Sequence, residues 1–385
     1  MIARALMVVA LAGLLTSTFY LLLVGFAVLR FRRKRLPSEV GDLPPVTLLK
    51  PVHGIEPQLR DSLESFFRLD YPRFEIIFGA RTPDDPTFTI VRELMQIYPQ
   101  VPVKLVASGK PAWPNAKCWS LAKMAKEADH EYLVISDSDV EVAPYYLRQL
   151  IPALLEPGVG CVTTVYRGKP TDGLWARLEV LGMSVEMTSG VLVAEMLEGM
   201  KFALGPTMAV RRDALQRVGG FATFADYCSD DFLLGKQIAA ASYKVLLSPH
   251  VIDHVILHES LRQSLAHQTR WMKSTRCPRP IGHLGMALTF AMPYGVLGLL
   301  ARAASGKPLL GVIFFAAMFL NRALLSIMAG WGALRDSRSL ASCWLYPLRD
   351  LMGFGFWAAS YFSDRILWRG EQYRLKVGGK MVRIT

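Results

Sequence analysis

Apolar positions along this chain fall into three regimes. Residues 5–29, ALMVVALAGLLTSTFYLLLVGFAVL, run without a charge. At about 1.5 Å rise per residue that stretch is long enough to cross a hydrocarbon core about 30 Å thick. A cleaved signal peptide is the competing reading, disfavoured because the run is too long and its basic cluster follows rather than precedes it. From about 44 to 165, short apolar runs alternate with amphipathic stretches. The pattern predicts strands over 46–49, 74–80, 103–107 and 132–136, and helices over 56–67, 87–97 and 117–128. Such βα alternation argues a mostly parallel sheet covered on both faces.

The last third returns to long apolar stretches. Residues 309–334 form a spanning candidate interrupted by Arg322, and 284–301 contain Pro293. Residues 341–362 carry Pro347, Arg349 and Asp350 near their middle. Charges at membrane depth are expensive, so that last segment should pack against protein or lie at the interface. Three full crossings would put the basic tail on the far side, against the positive-inside tendency, so one of the three is expected to be re-entrant or interfacial. Between the regimes, the Met- and Leu-rich segment 174–200 reads equally as a core helix pair or as a soft apolar surface that admits a lipid. The expected division is an anchor with a basic flank over 1–35, an α/β domain over 36–280 and a membrane region with a basic tail over 281–385.

Composition adds compartment and partners. The 385 residues are 52% hydrophobic and carry a net charge of +12, from 44 Lys and Arg against 32 Asp and Glu. Much of that excess flanks the apolar segments, as Arg30, Arg32, Arg33, Lys34 and Arg35 at one end and Arg365, Arg369, Arg374, Lys376, Lys380 and Arg383 at the other. No nucleic-acid-binding motif accompanies it, so an anionic membrane surface is the expected partner, with no nucleic acid and no obligate protein partner. The cluster at 30–35 places the middle domain in the cytoplasm. The five cysteines are odd in number and lack metal-ligand spacing, which fits a reduced compartment.

Three polar clusters carry candidate chemistry. Asp137-Ser138-Asp139 follows the predicted strand YLVIS, at the strand end where parallel sheets bind ligands. Carboxylates at i and i+2 on a turn can face one Mg²⁺ or Mn²⁺, which would neutralise a diphosphate leaving group. The same residues would equally cap a turn. Ser229-Asp230-Asp231-Phe232 opens a helical stretch. Its carboxylates serve either as cap and dipole partners, or, for Asp231, as the base that takes a proton from an attacking hydroxyl. In His267-Gln268-Thr269-Arg270-Trp271, Arg270 could hold a diphosphate and Trp271 floor an acceptor site, against the alternative of an interfacial anchor. His250, His254 and His258 recur at helical spacing, but the intervening Val and Ile suggest a strand. That disfavours zinc and leaves one of these histidines as a candidate partner of the active-site metal.

In order, DSD, SDDF and HQTRW are similar to the D, D, D, (Q/R)xxRW series of the ceramide glucosyltransferases, glycosyltransferase family 21, relatives of family 2. The resemblance extends to VTLLKPVHGIEPQLRDSLESFFRLDYPRFEIIFG, PNAKCWSL, FALGPTMAVRRDALQRVGGF and WRGEQYRLKVGG. The stretches VTTVYRG and DYCSDDFLLG look more like the bacterial hopanoid-associated branch. The resemblance implies a GT-A fold, a UDP-sugar donor, a cytoplasmic catalytic domain and inversion at the anomeric carbon. It implies Asp139 as the direct metal ligand, Asp137 on the ribose or sharing the cation, and Asp231 as base. His267, Arg270 and Trp271 would complete the product-side pocket. Asn115 and Lys117 match an N-x-K segment, with Lys117 on donor phosphate or simply a solvated helix residue. Two positions depart from the family. Thr82 stands where an aspartate that helps hold uracil is expected, with Asp84 or Asp85 as substitutes from the same loop, and His267 stands where Gln or Arg is usual.

The expectation is therefore an integral protein of a bacterial inner membrane that moves one hexose from a UDP-sugar to a lipid hydroxyl. UDP-glucose and ceramide lead, and UDP-N-acetylglucosamine with a hopanoid polyol is the alternative. A processive polysaccharide synthase would need more crossing helices to build a channel, and a catalytically degenerate scaffold would have no reason to keep these acidic and Arg-Trp positions.

Overall fold

The computed structural model describes residues 1–35, 41–56, 58–170, 173–256, 260–368 and 371–384. They form two compact units that interleave along the chain. One comprises Met1–Arg33, Pro170–Leu197 and His258–Gly378, and the other Lys34–Lys169, Glu198–Leu257 and Gly379–Thr385.

The second unit is built on an eight-stranded sheet. Its strands are β1 (Val46–Pro51), β2 (Phe74–Ala80), β3 (Val103–Ala107), β4 (Tyr132–Ser136), β5 (Val140–Glu141), β6 (Val159–Pro170), β7 (Thr207–Arg211) and β8 (Lys244–Ile256). Their spatial order is β3-β2-β1-β4-β7-β6-β8-β5. The first four strands are parallel, with Val46 of β1 opposite Phe74 of β2 on one side and Tyr132 of β4 on the other. β7 then runs antiparallel to both β4 and β6.

Near-continuous apolar runs such as Ile76-Ile77-Phe78 and Leu133-Val134-Ile135 are buried on both faces, as a parallel sheet requires. On one face Leu49, Ile77, Leu133 and Ile135 pack with Cys118, Leu121 and Met124 of the helix Ala116–Lys126 and with Leu234 and Ile238 of the helix Asp230–Ala240. Each fully buried Leu or Ile side chain contributes about 1.5–3 kcal/mol. Gly79 lets the first of those helices approach closely, since a Cβ there would overlap the Met124 side chain. The histidine segment is strand β8, so the helical alternative for His250 and His254 does not arise. His258 lies outside the described residues.

The first unit collects the apolar segments. Ile2–Arg32, Leu174–Glu198 and Pro308–Ala333 are each long and apolar enough to cross a membrane. Pro280–Thr289 and Met292–Ala304 meet at a 47° bend, the geometry of a broken or re-entrant span. The segment 174–200, read as core or as soft surface, is thus one long helix, carrying a π-helical turn over Gly182–Met187. Small residues admit close packing between helices. A Cβ at Gly13 would overlap the Tyr294 ring, and one at Gly298 the Phe314 ring.

The charges expected to seek protein do so. Arg349 and Asp350, on the helix Tyr346–Ala359, and Arg322 are all buried. Asp350 Oδ2 accepts from the backbone N–H groups of Ala291 and Met292 at 3.0 and 2.8 Å, which satisfies the donors exposed at the bend. Arg322 donates to Asp350 Oδ1 at 3.4 Å, to Asn321 Oδ1 at 2.6 Å and to the Thr289 carbonyl at 2.8 Å.

Candidate active site

The turn Asp137-Ser138-Asp139 lies between β4 and β5. β5 pairs antiparallel with β8, setting Val140 opposite His254, and the Val255 N–H donates to the Asp139 carbonyl at 2.8 Å. That register brings His254 Nε2 to 2.9 Å from Asp139 Oδ2, while the Tyr166 ring stands edge-on to the imidazole at 5.4 Å. Asp139 Oδ1 is buried and has no hydrogen-bond partner among the described residues, an acceptor whose desolvation a cation would offset. Asp139 and His254 together are a carboxylate–imidazole pair suited to one divalent ion. Among the described residues no three His, Cys, Asp or Glu side chains are grouped so as to hold a metal ion, so further ligands would come from a substrate or water.

Asp137 Oδ1 pairs with Lys117 Nζ at 2.5 Å. Lys117 is aimed there by the start of its helix. Asn115 caps that helix by accepting from the Cys118 N–H at 3.0 Å, and it donates to the Tyr227 carbonyl at 2.8 Å and to Asp230 Oδ1 at 3.1 Å. Asn115 is fully buried, and its bond to Asp230 fixes the start of the Lys117 helix beside the helix that carries Asp231. Pattern reasoning missed Lys50, at the end of β1. It is fully buried over the Phe66 ring, and Nζ donates to the Asp137 carbonyl at 2.7 Å. A buried lysine closing an apolar strand was a signal that period counting does not weigh.

Asp231 is the second residue of the helix Asp230–Ala240, and Gly235 on that helix presses against the backbone of Phe202 and Ala203 so closely that a Cβ would not fit. A Cβ at Gly205 would stand 2.9 Å from Asp231 Oδ2, so glycine at 205 keeps room beside the carboxylate.

The electrostatics divide the carboxylates. Burial, with the charge of Asp230, pushes Asp231 up to about 6, and Lys117 partly opposes it. Burial and Asp139 likewise raise Asp137, against the pull of Lys117. Burial would also raise Asp139, but His254 and Lys50 outweigh it and hold that carboxyl below its ordinary value. For Lys117 burial is overcome by Asp137, Asp230 and Asp231, which keep it charged. Lys50, pulled down by burial and supported by Asp137 and Asp139, falls to about 7.

The uracil-side residues of the sequence reading lie on the loop after β2. Asp85 caps the helix Pro86–Ile97, accepting from the Thr87 N–H at 3.0 Å and the Gly54 N–H at 3.2 Å, while Thr82 and Asp84 are exposed. His267, Arg270 and Trp271 belong to the other unit, on the helix Leu261–Arg276. His267 Nδ1 lies 2.7 Å from Glu179 Oε1, Ser264 Oγ donates to Glu179 Oε2 at 2.7 Å, and the His267 and Trp271 ring centroids are 5.2 Å apart. Glu179 went unnoticed in the sequence because it sits inside an apolar helix far along the chain from its partners.

A parallel-led α/β sheet ending in a D-x-D turn, joined to a helical unit with candidate spans, defines a membrane glycosyltransferase of the GT-A type. The chain belongs to glycosyl transferase family 21, whose profile matches residues 5–381. It is similar to ceramide glucosyltransferase 3 of Caenorhabditis elegans, 23% identical over 94% of this chain and 80% of that protein. Ceramide glucosyltransferase 1 of the same organism is also 23% identical, over 97% and 81%. A mannosyltransferase from Pyrobaculum calidifontis, solved with GDP-Man and Mn²⁺, shares the fold with a TM-score of 0.56 at 22% identity, over 93% of this chain and 98% of that one.

Proposed function

We propose that this chain is a UDP-sugar-dependent hexosyltransferase that transfers glucose from UDP-glucose to the primary hydroxyl of ceramide, with inversion. The near-full-length similarity to ceramide glucosyltransferases carries the substrate reading. The carboxylates of Asp137, Asp139 and Asp231, gathered with Lys117 in one unit, support the chemistry.

Asp231 is the base. Raised to about 6, it is ionised at neutral pH yet basic enough to accept the proton of the attacking hydroxyl. Asp139 and His254 would hold the divalent cation, with Asp137 sharing it or binding the ribose. The imidazole in this pair favours Mn²⁺ over the oxygen-seeking Mg²⁺. When bound, the ion supplies charge neutralisation for the departing UDP diphosphate. Lys117 holds Asp137 and adds positive charge on the same side. We assign diphosphate and acceptor contacts to His267, Arg270 and Trp271, and uracil contacts to Thr82, Asp84 and Asp85, from the motif positions they occupy. The basic flank at Arg30, Arg32, Arg33, Lys34 and Arg35 sits on the anionic cytoplasmic face of a bacterial inner membrane.

The test is reconstitution of the full chain in detergent with UDP-glucose, Mn²⁺ and ceramide. Glucosylceramide should appear by mass spectrometry, and Asp231→Asn should abolish it while UDP still binds. Product formed by the Asp231→Asn protein at the normal rate, or no product from the native protein with any ceramide, would overturn the reading.

A further inference from the structure

Two arginines are buried in the helical unit, and they are provisioned differently. Arg322 spends Nε, Nη1 and Nη2 on Asn321, Thr289, Asp350 and the Ser17 carbonyl, a complete set of protein acceptors. Arg349, on the helix Tyr346–Ala359, is 2% exposed. It uses only Nη2, 3.0 Å from Gln268 Oε1 and 2.9 Å from Glu186 Oε2, while Nε and Nη1 find no hydrogen-bond acceptor among the described residues. A guanidinium offers five N–H donors in a planar fork. Desolvating that fork with most of it unused is costly, and such a group in an apolar helical unit points to a ligand rather than to a scaffold.

The surroundings are shaped to the same end. Glu186 lies in the π-helical turn Gly182–Met187, the kind of local widening that re-aims a side chain at functional sites. Glycines flank the guanidinium on two helices. A Cβ at Gly182 would overlap it, and one at Gly353 would stand 3.2 Å from both Nη1 and Glu186 Oε2. Gln268 is the neighbour of His267, which holds the buried Glu179, so the same helix turn serves both Glu179 and Arg349.

We propose that Arg349, with Glu186 and Gln268, receives the polar head of a lipid that carries an amide carbonyl next to a hydroxyl. The spare N–H groups of Arg349 donate to the carbonyl, and Glu186, whose side chain is 17% exposed, accepts from the hydroxyl. This deepens the reading of the chain as a ceramide-type transferase and rests on it for the identity of the acceptor.

The experiment is equilibrium binding of a short-chain ceramide to the full chain in detergent micelles, read by tryptophan fluorescence without donor, alongside UDP binding with Mn²⁺. Arg349→Lys and Glu186→Gln should each weaken ceramide binding at least tenfold and leave UDP binding within twofold. Diacylglycerol, which lacks the amide, should bind the native protein weakly and be indifferent to Arg349→Lys. Ceramide binding unchanged in both variants, loss of UDP binding in parallel, or diacylglycerol binding as tightly as ceramide would each overturn the site. Ceramide bound by the native protein but never glucosylated would sink the proposed reaction and leave the site standing.

Discussion

Replacing Asp231 with Asn should remove activity and raise stability at once. As the base, Asp231 must be ionised, and its acid constant near 6 sets the acid limb of the rate. At pH 5 only about a tenth of the molecules would carry the ionised base, against about nine-tenths for an aspartate with the ordinary value near 3.9. The turnover number should therefore climb about tenfold from pH 5 to 7 and flatten above it. Asp231→Asn should lower turnover by about 10²–10⁴-fold. Lys117 holds Asp231 down, so Lys117→Met should move the limb to higher pH.

The stability change has the opposite sign. Between about 3.9 and about 6 the unfolded chain ionises this carboxyl and the folded chain does not, so the native protein loses stability as pH rises through that window. A rise from 3.8 to about 6 is worth at most about 3 kcal/mol. Partial solvent access at Asp231 brings this to about 1–2 kcal/mol. The Asn variant should thus melt a few degrees higher at pH 7 and no higher at pH 4. Initial rates against pH and thermal unfolding in one detergent buffer measure both effects. A flat profile from pH 5 to 7, or an Asn variant that melts lower at pH 7, would refute the reasoning.

Three further outcomes follow from the same geometry. His254→Ala should raise the Mn²⁺ concentration for half-maximal activity at least tenfold, checked by metal titration, because Asp139 then loses its neighbour at 2.9 Å. Gly205→Ala should cut turnover at least tenfold without changing UDP affinity, measured by calorimetry, since the new methyl would stand 2.9 Å from Asp231 Oδ2. Lys50→Met leaves the Asp137 carbonyl without its donor, at a cost of about 1–3 kcal/mol, and should raise the KM for UDP-glucose more than it lowers kcat.

The parallel half of the sheet was readable because each βα unit carries its own local period: β2, β3 and β4 coincide with the predicted runs, and β1 extends two residues past its own. Helix 56–67 starts at Leu59 instead, a boundary that local pattern does not fix. The antiparallel half was not readable, since β7 and β8 join the sheet through pairings made by residues distant in sequence. His254 shows the consequence for the site. Its neighbour Asp139 is named by the Val140–His254 register, and no spacing rule along one chain encodes that register. Glu179 and Glu186 were hidden in another way, as charges in an apolar helix, and Arg349, though legible as a charge that must seek protein, shares with them partners that emerge only when separate segments pack. Lys50 and Asn115 illustrate the reverse case. Each stood in view within a quoted stretch, but its role depends on burial.

The apolar helix Leu174–Glu198 interrupts the catalytic sheet between β6 and β7, two strands that lie side by side. During synthesis the ribosome therefore delivers a helix long and apolar enough to cross a membrane before β7 can pair with β4 and β6. Bilayer insertion and maturation of the enzyme become successive stages of one process. A water-soluble catalytic fragment would not be obtained by trimming the two ends of the chain. It would require bridging from the end of β6 to Glu198 with a short polar linker, after which the sheet could close without waiting for lipid.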